Sequence, residues 1–205
     1  MSANTTLILA RNFGPLLRAA VVFSLCASAA GCDQAAAKAK EEAQRRVQPT
    51  YDKASGKLTK LAYDSNDNGK PDTWAFMDGA RLVRLEADEN EDATIDRWEY
   101  YSATASSASA TQPPERIDRA TRGDGKVSRR EFFEAGVLAR IEEDVDGNGI
   151  IDKWETYSAG ALSTLALDTT GAGKPNRRFI YRPDGSLDRV EADSTGAGNF
   201  QTVKQ

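Results

Sequence analysis

The chain has 205 residues, a formal net charge of −4 and no histidine. Without histidine there is no His-based triad or general base, and most zinc, copper and non-haem iron sites fall away. An acidic chain with no clustered basic stripe is also a poor fit to nucleic acid, and no such partner is expected.

In chain order, residues 1–31 read as a lipoprotein signal peptide. Arg11 and Arg18 lie in a polar, acid-free region ahead of the apolar stretch AAVVFSLCASAA (residues 19–30). About a dozen residues is too short to span a bilayer, which needs roughly 20. Ala29-Ala30-Gly31-Cys32 resembles a bacterial lipobox, with Ala29 where leucine is usual, so Cys32 is the expected lipidation site and mature N-terminus. Cys26 is a weaker candidate, because Leu25 before it is too large for the cleavage pocket. The alternative is an ordinary secretory peptide cleaved near Ala30. Lipidation implies an exported protein anchored to the bacterial cell membrane or the outer membrane. With Cys26 removed and Cys32 lipidated, no disulfide forms within one chain. Beyond residue 31, 25 basic residues face 31 acidic ones, a net charge of −6.

Residues 32–50 read as the lipid-anchored stalk or linker. Its Ala, Lys and Glu-rich run DQAAAKAKEEAQRR is either a helix-prone stalk or a disordered tether. Residues 51–205 then form one repeat domain of six units. Its loops begin at Asp64, Asp88, Ala120, Asp144, Asp168 and Asp193, at intervals of 24, 32, 24, 24 and 25 residues. The longer interval holds a low-complexity Ala/Ser insertion at 102–114, expected to be a solvated loop.

Ten residues after the first five loop starts stand Trp74, Trp98, Arg130, Trp154 and Arg178. Leu82, Leu138 and Leu162 follow at eighteen, and Leu85, Ile141 and Leu165 at twenty-one. A 24-residue unit with a 12-residue loop leaves about a dozen residues, too few for the paired helices of an EF-hand. Two short strands fit, with turn signals at Asp78-Gly79, Ala159-Gly160 and Asp184-Gly185. The expected fold is therefore mainly β, an antiparallel hairpin meander of tandem repeats of about 24 residues. Cation loops line one side and tight turns the other. The half-unit carrying Leu58 and Leu61 opens the array on a lone strand, and the three tryptophans are expected to stack as a cross-strand ladder on the packed face. In the third unit, Glu131, Phe132 and Phe133 also resemble an EF-type exit helix, although the repeat register favours strand.

Oxygen side chains at loop positions 1, 3, 5 and 9, a carbonyl at 7 and an acid at 12 suit calcium, which takes six to eight oxygens at flexible geometry. The fourth unit offers Asp144, Asp146, Asn148, the Ile150 carbonyl, Asp152 and Glu155, with Gly149 at the turn and Ile151 as apolar anchor. The second offers Asp88, Asn90, Asp92, Thr94 through its carbonyl, Asp96 and Glu99, but Ala93 replaces the glycine and strains the turn. The first offers Asp64, Asn66, Asn68, Lys70 through its carbonyl and Asp72, with Ala75 unable to close the shell. Ala120, Arg122, Ala172 and Ala197 remove ligands from the other loops, which are expected to survive as turns. Magnesium, which demands a rigid octahedron, fits less well. The plain alternative is that Asp-Asn-Gly clusters only make turns.

Taken with the lipobox, these loops over residues 57–205 resemble those of bacterial lipoproteins with tandem DxDxDG calcium repeats, akin in loop chemistry to EF-hands, dockerins and thrombospondin type 3 repeats. The resemblance implies calcium as cofactor and a structural or scaffold role at the cell envelope. The alternative role is an adhesion or assembly module that binds an envelope protein or glycan, with calcium only stiffening the fold. Carboxylate pairs such as Glu86 and Asp88 recur in the repeat register as loop and surface acids, so no enzymatic activity is expected.

Overall fold

A computed structural model describes Glu41, residues 45–102 and residues 112–203. The signal peptide, Cys32, most of the stalk and residues 103–111 of the insertion lie outside the described residues. Within them the chain is mainly β, with helix confined to Glu41, Arg45 and Arg46. Thirteen strands follow: β1 (Val47–Tyr51), β2 (Leu58–Tyr63), β3 (Thr73–Asp78), β4 (Arg81–Ala87), β5 (Arg97–Tyr100), β6 (Arg116–Arg119), β7 (Arg129–Glu134), β8 (Val137–Glu143), β9 (Lys153–Ser158), β10 (Ala161–Leu167), β11 (Arg177–Tyr181), β12 (Leu187–Ala192) and β13 (Gln201–Thr202). They form one antiparallel sheet in chain order. The sheet opens on the pair β1–β2 rather than on a lone strand, and it begins inside the segment expected to be stalk. In the third unit β7 and β8 are strands, so no exit helix forms.

Turn chemistry explains the tight edge. Ala135-Gly136 and Ala159-Gly160 adopt positive φ at both central residues (49° and 81°, 50° and 82°), the turn whose twist matches that of flanking strands. Beside the β3–β4, β7–β8 and β9–β10 turns the register slips by one residue on the second strand, at Val83, Ala139 and Ser163. Each slip is a β-bulge, which adds local twist. It also puts Leu82 and Leu85, three apart, on the same face, where simple alternation would separate them.

Substantial strand–strand contact is confined to sheet neighbours, so the sheet is a single layer in the described residues. Its first face carries the cross-strand row Leu61, Ala75, Leu85, Glu99, Ile117, Glu131, Ile141, Glu155, Leu165. Ile141, 2% exposed, is its best-covered large side chain. The second face carries the tryptophans, and here the expected ladder fails. Trp74 and Trp98 share a row but both lie opposite Glu86, and Trp154 lies opposite Glu142. No tryptophan faces another, because the strands between them place acids in that row.

The adjacent row of the second face reads Lys60, Phe76, Arg84, Tyr100, Arg116, Phe132, Arg140. Arg84, Arg116 and Arg140 lie over Phe76, Tyr100 and Phe132, at 4.4, 4.1 and 3.8 Å from the ring centroids. Each also pairs with the acid two residues on: Glu86, Asp118 and Glu142. Guanidinium groups thus lie over rings that would otherwise face water, each held there by its acid.

Candidate metal centre

The loops at 64–72, 88–96, 120–128, 144–152 and 168–176 all join an even strand to the next odd one, so they line one edge of the sheet. Four are held from inside by their first and ninth side chains, and the loop that opens at Ala120 by its ninth alone. Oδ2 of the first aspartate accepts the backbone N–H five residues on: Asp64 from Gly69 (2.7 Å), Asp88 from Ala93 (2.9 Å), Asp144 from Gly149 (2.9 Å) and Asp168 from Gly173 (2.6 Å). The ninth residue accepts from the loop's opening amides, as Asp72 does from Ser65, Asp96 from Glu89, Ser128 from Thr121, Asp152 from Val145 and Asn176 from Thr169. These first and ninth residues are mostly buried, with Asp144 only 4% exposed. The backbone allows this by taking positive φ at positions 4 and 6, as at Gly147 and Gly149. In the second loop Glu91 and Ala93 hold these positions at 61° and 72°, so the strain expected at Ala93 is present and extends to Glu91.

Among the described residues, one group of three carboxylates converges: Asp144, Asp146 and Asp152, with one oxygen from each within 4.8 Å of the others. That spread suits an ion holding oxygens at about 2.3–2.6 Å, and the donors are hard, as calcium prefers. Burial opposes the charge on Asp144, but the amides of Gly149 and Gly147 and the guanidinium of Arg122 outweigh it and hold its carboxyl below the usual value. Asn148 lies beside the group, with Oδ1 accepting from the Ile150 amide (2.7 Å).

Glu155, the expected closing ligand, is not among the converging carboxylates. It points from β9 onto the first face, where Lys153 Nζ lies 2.7 Å away and Tyr157 donates its hydroxyl at 2.6 Å. Burial opposes its charge, yet Lys153 and Tyr157 together hold it below the usual value, and the Tyr157 phenol is pushed up to about 12. Glu99 is placed likewise in β5, with Tyr101 donating to it and Arg97 beside it. Position 12 is a strand position here, and both glutamates pair within their own strands.

The second loop brings Asp88, Asn90, Asp92 and Asp96 to one turn, but its carboxylates do not converge as those of the fourth do. Asn90 and Asp92 bond each other, Thr94 donates its amide to Asp92, and the buried Oδ1 of Asp88 has no hydrogen-bond partner, an oxygen that a cation would satisfy. In the first loop Asn66 and Asn68 donate their side-chain amides to Glu91 of the second, and the Lys70 amide bonds Asn68 Oδ1. Glu91 was not legible as a site residue, since position 4 lies outside the ligand pattern. Arg122 stands at position 3, where the sequence marks a lost ligand but not its reach from the third loop to Asp144.

No family model matches the chain, and no curated protein matches it. Among solved structures it is similar to a mutant of S. aureus TarM in complex with Fondaparinux, alpha-GlcNAc-glycerol and UDP, at 11% identity and a TM-score of 0.23. The match covers 72% of this chain and 26% of that one, so the chain spans about a quarter of the length of that protein. The expectation of no enzymatic activity is withdrawn on this finding. So slight a likeness assigns no activity in its place.

Proposed function

We propose that this chain is a membrane-anchored calcium-binding repeat protein with a structural or scaffold role at the bacterial cell envelope. In this reading residues 1–31 are a lipoprotein signal peptide, Cys32 carries the lipid, and the region to about residue 50 is the tether. The sheet is an array of tandem units of about 24 residues whose acidic loops line one edge. The observation that carries the reading is the convergence of Asp144, Asp146 and Asp152 at one such loop. With three carboxylates, the Ile150 carbonyl and water, the shell is that of a weak extracellular site, at roughly 10⁻⁴–10⁻³ M, suited to stiffening a fold rather than sensing. The second loop, with its unpartnered Asp88 oxygen, is the next candidate, and the first, short of carboxylates, the weakest.

Metal that binds the folded state alone raises the melting temperature by mass action. Millimolar calcium is therefore expected to raise the melting midpoint of the full chain over that in chelator. Asp144→Asn combined with Asp152→Asn should remove most of that shift, whereas Glu155→Gln should leave it in place. An equal midpoint in calcium and in chelator would refute the calcium reading. Anchoring is tested separately: Cys32→Ser should release the protein from the membrane fraction.

A further inference from the structure

Arg122 belongs to the third loop, yet its guanidinium lies in the fourth. Nη1 donates to the carbonyl of Asp144 (2.7 Å) and Nη2 to its Oδ2 (3.2 Å). The side chain passes so close over the turn that a Cβ added at Gly147 would meet its Cζ and Nε at 3.2 Å. Asp144 is 5% exposed at its side chain and Arg122 32%, so the contact sits at the solvent edge of a buried carboxylate. The acidic group of the fourth loop is thus already met by a cation, one that the neighbouring loop supplies. At position 3 of the other loops stand Asn66, Asn90, Asp146, Thr170 and Thr195, none of them basic.

We propose that Arg122 sets the cation affinity of the fourth loop, as an internal counter-ion that calcium must displace or tolerate; this rests on the calcium reading of Asp144, Asp146 and Asp152. A divalent ion held by these carboxylates lies within a few ångströms of the guanidinium, too near for salt to screen the repulsion. Either the arginine swings away or the ion binds less tightly. Without metal, the same arginine offsets the mutual repulsion of the three acids. The third loop, which has lost its own ligands at Ala120 and Arg122, therefore acts on its neighbour's site, and occupancy of that site acts back on the third loop to the same degree.

The test is a calcium titration by calorimetry on the full chain with Arg122 as it stands and as Arg122→Lys, Arg122→Gln and Arg122→Glu, with the melting point of each in chelator. Affinity is expected to follow charge, Glu tightest, then Gln at about fivefold above the parent, with Lys close to the parent. In chelator Arg122→Gln should melt below the parent, since the cluster loses its counter-ion. A merely structural arginine would lower the melting point without ordering affinity by charge. Equal affinity in all four forms would overturn the proposal and leave the calcium reading standing. Binding by the Gln and Glu forms alone would support it, showing a site that the arginine masks in the parent. No binding by any form, with the fold intact by circular dichroism, would overturn both.

Discussion

Positive φ at residues other than glycine marks where the loops are strained. Ala93 holds 72° where the fourth loop has Gly149 at 89°, and a left-handed residue with a Cβ costs about 1–2 kcal/mol. Ala93→Gly should therefore stabilise the protein by up to about 1 kcal/mol in urea denaturation, the gain reduced by glycine's added freedom when unfolded. Gly125→Ala should do the reverse. Its φ is 68°, and an added Cβ would lie 2.3 Å from Thr94 Cγ2, so strain and a clash with the second loop combine. Hydrogen bonding sets a pH dependence at the same scale. The hydroxyl and amide of Thr170 donate to Asp168 Oδ1 at 2.7 and 2.8 Å, burial opposes the charge, and the amides of Gly173 and Lys174 add to the first effect. The Asp168 carboxyl is pulled down to about 2. Because its folded pKa lies below the unfolded one, its contribution to stability is present above the usual aspartate value and is lost as pH falls through about 2. Carbon-detected NMR titration of Asp168 should give a midpoint near 2, and a midpoint at the usual aspartate value would contradict these bonds.

At the scale of strands, an open sheet face must keep its rings from water without a second layer. The alternation of Phe76, Tyr100 and Phe132 with Arg84, Arg116 and Arg140 does this. Arg140, half-exposed and 3.8 Å above its ring centroid, is the clearest case. Arg116→Ala and Arg140→Ala are each expected to cost about 0.5–1 kcal/mol in chemical denaturation, more than an exposed ion pair alone would explain. The strands themselves were largely legible. The recurring apolar positions, the Gly-containing turns and the loop spacing marked β3, β4, β9 and β10 closely. The bulges were half legible: Leu82 and Leu85 stand an odd number apart, which plain alternation cannot place on one face, but that spacing alone does not say which residue bulges.

At the scale of the molecule, substantial strand–strand contact among the described residues is confined to sheet neighbours, so stability is carried from strand to strand, as in repeat arrays. Removing β12 and β13 should leave β1–β11 folded, with tryptophan fluorescence from β3, β5 and β9 unchanged. Hydrogen exchange should be slowest around β7–β9, where Ile141 is buried, and quicken toward β13, which pairs through two residues only. Global unfolding of the truncated chain would contradict this one-dimensional picture.

Strand content, meander order and the shared edge for the acidic loops follow from local patterns, because turns, alternation and neighbouring strand pairs join residues close in the chain. The aspartates that open the loops could be read from spacing for the same reason. The ligand set could not. Whether Asp144, Asp146 and Asp152 meet, and whether Glu155 turns to Lys153 and Tyr157 instead, depends on where loop gives way to strand and on side chains from the next strand. Glu91 and Arg122 reach adjacent loops 23 and 22 residues away, so their effects exist only once the sheet sets those loops side by side. The tryptophan spacing carried the row but not the neighbours, because residues 86 and 142 come into that row only through pairing between strands.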